Sequence, residues 1–183
     1  MLVTEHRKLL KDLAYSTIES GLATGSLPAV DITLFPEQLT VPRATFVTLE
    51  KKGKLRGCIG SLEAYRPLAE DVIHNSFAAA FSDPRFPPVT SAELQQLDIQ
   101  ISILNPAEEI NCQTEQALYD QLRRGKDGLI IEEGSHRATF LPSVWESLSQ
   151  PEYFVKQLKL KAGLPEHYWS DSIRCYRYTT ECF

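Results

Sequence analysis

The run Lys51-Lys52-Gly53-Lys54-Leu55-Arg56-Gly57-Cys58-Ile59-Gly60-Ser61 sets one thiol between two glycines and next to a cluster of cations. Glycine at 57 and 60 lets the backbone take unusual angles and come close to a ligand. Arg56, the lysines and the positive end of a helix expected just downstream all favour the thiolate, the form of cysteine that attacks electrophiles and binds ligands. The pattern therefore points to a nucleophilic, redox or ligand-binding thiol at Cys58, with backbone N–H groups around Gly57 and Gly60 and the Ser61 hydroxyl as binding groups. The same residues also fit a small buried thiol in a tight turn, with the lysines solvating a hairpin tip.

Asp83-Pro84-Arg85-Phe86-Pro87-Pro88 is the second chemically loaded segment. Arg85 can hold a carboxylate or phosphate with two parallel N–H bonds, and Asp83 can orient a base. An Asp83–Arg85 contact that merely fixes a proline turn uses the same residues. His6, His74, His136 and His167 make no HxH, HExxH or HxxxH pattern, and no cysteine pair has zinc spacing, so no metal site is expected. His74 could serve Cys58 as a base, or could be a half-exposed helix histidine. The glycine spacing around Cys58 lacks the GK[ST] ending and the GxGxxG order of phosphate-binding loops.

The elements that position these groups follow from apolar spacing. Leu9, Leu10, Leu13, Ala14, Thr17 and Ile18 predict a helix over 4–20, capped by Thr4 and ended by Gly21. Residues 26–42, with three prolines, predict an irregular packed connection. Alternation over 44–50 and 55–59 around Lys51–Lys54 predicts a hairpin. Leu68, Val72, Ile73, Phe77, Ala80 and Phe81 predict a helix opened by Pro67 and stopped ahead of Pro84. A short helix is expected at 90–96, and Leu97–Leu104 (LDIQISIL) alternates strictly as a strand. Beyond it come a helix over 114–124, strands near 129–131 and 138–141, and helices at 142–149 and 151–162 with Gly163 as C-cap. A closing strand is expected over 173–180, which would set Cys175 and Cys182 on opposite faces. Helices and strands mix without a βαβ repeat, so the expected class is α/β with a mixed, largely antiparallel sheet and flanking helices.

Composition excludes several functions. The chain has 183 residues, 43% of them hydrophobic and 23% charged, which is enough for one good core or two lobes sharing it. Nineteen basic against 24 acidic residues leave a net charge of −5, which argues against DNA or RNA as a partner. No stretch approaches the ~20 apolar residues that cross a bilayer, and the N-terminus has no apolar segment behind its charges. Four cysteines without a CxxC pair read as reduced thiols of a cytoplasmic protein.

The blocks LRGCIG (55–60), AFSDPRFPP (80–88), LDIQISIL (97–104), GKDGL (125–129), ATFLPSVW (138–145) and LKLKAGL (158–164) run in order along almost the whole chain. In that set the sequence resembles the AMMECR domain family, most closely the bacterial branch called AmmeMemoRadiSam system protein A. The resemblance implies one domain over 1–183, with a larger and a smaller lobe around a cleft near the RGCIG motif. It implies a Memo-like protein and a radical SAM protein as partners, and it supplies neither a reaction nor a cofactor. Two readings stay open. In one, the chain is an enzyme or enzyme subunit with Cys58 as nucleophile, Arg56 activating it, and Asp83 and Arg85 holding an anionic substrate. In the other, it is an adaptor whose RGCIG and DPRFPP segments form a rigid recognition surface.

Overall fold

Alternating apolar residues make Thr45–Lys51 (β1) and Lys54–Gly60 (β2) an antiparallel hairpin, and Lys52 and Gly53, both at positive φ, form its two-residue turn. The computed structural model describes residues 1–183, which divide into two units, 1–104 with 181–183 and 105–180. In the first, β1 pairs on its other side with Leu97–Leu104 (β3), and Thr180–Cys182 (β8) closes a four-stranded sheet of order β2-β1-β3-β8. Strand periodicity sorts the side chains. Val47, Leu49, Ile99, Ile101 and Ile103 are buried in one apolar cluster with Leu10, Ala14 and Ile18 of helix α1 (Thr4–Thr24) and Leu68, Val72, Ala79 and Ala80 of α3 (Leu68–Phe81).

Helix α1 differs from the expectation at both ends. Thr4 is its first helical residue and Val3 the N-cap, without a side-chain cap bond. It passes through Gly21, because that glycine is where α1 touches α3: a Cβ there would lie 2.4 Å from the Phe81 ring. The left-handed stop is Gly25, at φ 70°. Pro67 is the N-cap of α3 rather than its first residue. The connection over 26–42 holds a 3-10 turn, Ile32–Leu34, and a four-residue helix α2, Glu37–Thr40. Ser91–Leu94 (α4) begins with a capping box between Thr90 and Glu93.

The second unit is a sheet of order β4-β7-β5-β6, antiparallel throughout: Glu108–Ile110 (β4), Gly128–Glu133 (β5), His136–Phe140 (β6) and Arg174–Tyr178 (β7). Helices Glu115–Gln121 (α5) and Pro151–Lys161 (α6) belong to the same unit. Leu118, Leu129, Ile131, Phe154, Val155 and Leu158 form its apolar cluster, and Trp145 stacks on Phe154 at 3.9 Å. Trp145 also donates its indole N–H to the Asp127 carbonyl at 2.7 Å. The expected helix over 142–149 is only a 3-10 segment, Pro142–Glu146, and α6 starts afresh at Pro151 after an extended Gln150.

The expected single closing strand is two strands. Residues 174–178 lie in the second sheet and 180–182 in the first, so Cys175 and Cys182 sit in different sheets rather than on opposite faces of one strand. No proline or glycine interrupts residues 173–182, and only the pairing partners divide them into two strands. The fold is thus mixed α/β, built on two antiparallel four-stranded sheets with six helices.

Candidate functional site

Strand β2 is the outer strand of its sheet, so every second residue turns its N–H and C=O away from β1. Cys58 is such a residue. Its N–H donates to Asp83 Oδ2 at 2.9 Å and its carbonyl accepts from Arg85 Nη2 at 3.1 Å. Asp83 and Arg85 are themselves joined by two parallel bonds, Nε to Oδ1 at 3.0 Å and Nη2 to Oδ2 at 2.7 Å. A carboxylate and a guanidinium therefore do at Cys58 what a neighbouring strand would do. Because Cys58 spends its backbone bonds outward, it faces Thr48 across β1 as a close non-bonded pair, and its Sγ lies 3.2 Å from Thr48 Oγ1.

The two glycines have contact roles rather than strained angles. A Cβ on Gly57 would lie 2.2 Å from the Ala79 carbonyl oxygen, so Gly57 lets the α3 backbone rest on β2. Cys58, the next residue, consequently points to the face opposite α3. Gly60 shares that opposite face with its cross-strand partner Phe46, whose ring would be 2.2 Å from an added Cβ.

Arg56 and Ser61 engage other partners. Arg56 makes a two-bond contact with Glu93, Nε to Oε1 at 3.0 Å and Nη2 to Oε2 at 3.1 Å, with Lys51 on the same carboxylate at 3.0 Å. Glu93 Oε2 also takes the Thr90 N–H, so Arg56 anchors β2 to the start of α4. The Phe86 ring lies beneath both guanidiniums, 6.0 Å from Arg56 and 5.5 Å from Arg85. Ser61 Oγ donates to Asp71 Oδ1 at 2.9 Å, inside a buried polar network. Asp71 Oδ2 accepts from the Thr45 N–H, the Thr45 hydroxyl and Asn75 Nδ2, and Asp71 Oδ1 accepts from Arg66 as well.

The structure thus brings Cys58, Asp83 and Arg85 together, sends Arg56 to Glu93, and sends Ser61 to Asp71. Thr48 and Asp71 join the site only in the folded structure. Thr48 carries no signal beyond alternation in β1. Asp71 had one: an acid in the first turn of a helix that follows Ser61 and Arg66 closely. His74 faces Glu70 one turn back on its own helix at 3.8 Å, and burial, more than the nearby Arg66 charge, lowers its pKa. No group of three or more His, Cys, Asp or Glu side chains gathers in metal-binding geometry.

Electrostatics favour the ionised pair at the strand edge. The Arg85 hydrogen bonds, and then the Cys58 and Arg85 N–H groups, hold the Asp83 carboxyl well below the usual carboxylate range against the opposing effect of burial. Asp83 in turn raises Arg85, and the charge of an ionised Cys58 adds to that effect, so Arg85 is the cation that a thiolate at Cys58 would meet. Glu93 is likewise depressed, by Arg56 first and then Lys51. A carboxyl depressed on folding contributes stability that is complete above its unfolded pKa of ~4 and is lost as pH falls toward the folded value. The urea midpoint should therefore hold steady from neutrality to about pH 5 and fall below about pH 4. Asp83→Asn should be less stable at pH 7 with a shallower acid limb. Parallel acid limbs in the two proteins would remove Asp83 from the explanation.

The AMMECR1 family model matches residues 11–183. A protein of Methanothermobacter thermautotrophicus is 39% identical over 154 residues, covering 81% of this chain and 78% of its own length. A protein of Thermotoga maritima is 39% identical over 171 residues, covering 92% of each chain. The crystal structure of PH0010 from Pyrococcus horikoshii superposes with a TM-score of 0.88 at 33% identity, covering 95% of this chain and 88% of that one. The fold and the Cys58–Asp83–Arg85 cluster thus define a two-sheet α/β protein with a clamped strand-edge cysteine. The chain belongs to the AMMECR1 family. No helix in it is long and apolar enough to cross a membrane.

Proposed function

We propose that this chain is an enzyme, or an enzyme subunit, that uses Cys58 as its reactive thiol. The observation that carries the reading is the clamp: Asp83 and Arg85 hold the Cys58 N–H and C=O on the outer edge of β2 and leave a cation next to the thiol. Fixed geometry of that kind lowers the reorganisation needed when a nucleophile attacks, and a neighbouring cation favours thiolate. Arg85 is about half exposed, at 53% of its side chain, and so can also meet an anionic substrate, while Asp83 stays buried to orient it. Arg56 acts at one remove, by holding Phe86 and the 83–88 turn through Glu93 and the Pro88 carbonyl. Gly57, Gly60 and Ser61 set the strand, the Phe46 ring and the end of β2 that carry the thiol.

The same reading places the chain in the AmmeMemoRadiSam branch, acting in the cytoplasm with a Memo-like protein and a radical SAM protein. The clamp also favours a second reading. Because it locks RGCIG to DPRFPP, the two segments form a rigid surface, and an adaptor would use that surface with Cys58 structural. Cysteine alkylation in the folded protein, followed peptide by peptide, separates the two. The enzyme reading expects Cys58 to react faster at pH 7 than the other three thiols, and Arg85→Gln to slow it about tenfold. A Cys58 that reacts only after unfolding ends the enzyme reading. Cys58→Ser that keeps the two partners bound while pathway output is lost would end the adaptor reading.

A further inference from the structure

The second unit contains a pair of thiols that the Cys58 chemistry does not use. Ile110 of β4 sits directly across from Cys175 of β7. Cys112 follows two residues later, just past the end of β4 and diagonal to Cys175. Its side chain leans back over the strand end, with Sγ 3.5 Å from the Ile110 carbonyl oxygen, and packs on the apolar cluster that holds Cys175, where each thiol acts on the titration of the other. Both are free cysteines.

The surroundings divide the roles of the two sulfurs. Cys112 is half-buried and lines a depression of about 1010 Å³ formed by residues 109–114 and 171–174. Cys175 is 1% exposed and sits in the apolar cluster of the second unit. Burial pushes both thiols up, with the charges of Glu109 at Cys112 and Glu115 at Cys175 acting in the same sense. In the resting protein both are therefore neutral thiols and slow to react. The remaining cysteines contact hydroxyls instead, Cys58 with Thr48 and Cys182 with Ser102.

We propose that Cys112 and Cys175 are a modification site, a dithiol that closes to an intramolecular disulfide by exchange with a low-molecular-weight disulfide of the glutathione type. Cys112, reached from the depression, gives its proton to solvent and attacks one sulfur of the reagent. A Cys112–reagent mixed disulfide forms, and the first small thiolate leaves and takes up a proton. Cys175 then gives up its proton and attacks the Cys112 sulfur, and the second small thiolate leaves to be protonated likewise. The balance is two protein thiols and one small disulfide converted to one protein disulfide and two small thiols. The two electrons pass to the reagent. The product ties β7 to the segment after β4 and closes a long loop of the chain, which restricts the unfolded state most.

The test is incubation of the full, folded chain with oxidised glutathione, followed by peptide mapping without reduction. The expected product is a Cys112–Cys175 cross-linked peptide with two hydrogens lost, and a melting temperature raised by about 5 °C over the reduced chain. Cys175→Ser should stop at a glutathione adduct on Cys112. Cys112→Ser should leave Cys175 unmodified until the protein is unfolded. A wild-type chain that accumulates a stable adduct on Cys112 with no cross-link overturns the proposal. So does a Cys175 that reacts natively in Cys112→Ser, because the order of attack would then be wrong.

Discussion

Asp71→Ala should lower the stability of the first unit by about 4 kcal/mol, the scale for removing one partner from a buried charged network. The carboxylate is 1% exposed, and it accepts from the Thr45 N–H, the Thr45 and Ser61 hydroxyls, Asn75 and Arg66. Truncation leaves the Arg66 guanidinium, at 20% exposure, without its anion, and leaves a buried backbone N–H at the start of β1 without an acceptor. In a chain of this size the melting temperature should fall by roughly 12 °C. Asp71→Asn keeps the shape and the acceptor toward Thr45, but presents N–H groups to Arg66 or Ser61 in one orientation or the other, so it should cost about half as much. Thermal unfolding of the two variants checks this. An Asp71→Ala protein within about 1 kcal/mol of wild type would mean that water replaces the carboxylate and that the network does not anchor α3 to the sheet.

Gly57→Ala is expected to cost about 3 kcal/mol, although it adds a single methyl group. The obstacle is the Ala79 carbonyl oxygen at 2.2 Å with its carbon at 3.1 Å, both helix backbone, so α3 as a whole has to retreat from β2. Gly60→Ala meets a different obstacle, the Phe46 ring, which is a side chain and can be removed. The pair of positions makes the argument separable. Phe46→Ala should largely rescue Gly60→Ala in a double-mutant cycle, whereas no side-chain truncation should rescue Gly57→Ala. Urea unfolding of these variants supplies the numbers, and rescue of Gly57→Ala by Phe46→Ala would show that the helix is not the limiting contact. Displacing α3 also moves Asp83 at its C-terminal side, so Gly57→Ala should alter Cys58 alkylation as well.

Both effects arise from the same physical cause. Gly57 brings α3 close to β2, and the end of that helix delivers Asp83 to the exposed edge at Cys58. Asp71, one turn into the helix, ties its start to Thr45 and Ser61. The clamp on the thiol is therefore set by how one helix lies on one hairpin. The motif glycines act through that packing.

Much of this protein was determined locally and is legible in its residues. Alternation in LDIQISIL and in the hairpin around Lys52-Gly53 specifies strands because a period of two buries one face. The α3 pattern and the prolines after it specify the helix and its stop. RGCIG and DPRFPP are the segments carrying unusual chemistry, and the family resemblance rests on them together with four further blocks in order along the chain. Choices among equivalent partners were not legible. Arg56 and Arg85 are equally able to face Cys58 or a carboxylate, and only the outward turn of the Cys58 backbone on an edge strand gives Arg85 to Cys58 and leaves Arg56 to Glu93. Residues 173–180 read as one strand, because local β-forming residues carry no information about which sheet supplies the neighbour. The meeting of Cys112 with Cys175 likewise depends on register between strands far apart in the chain. Local patterns fix periodicity and faces, which are short-range; pairing, register and the fate of each charge are settled by long-range contacts, and those exist only once the chain has folded.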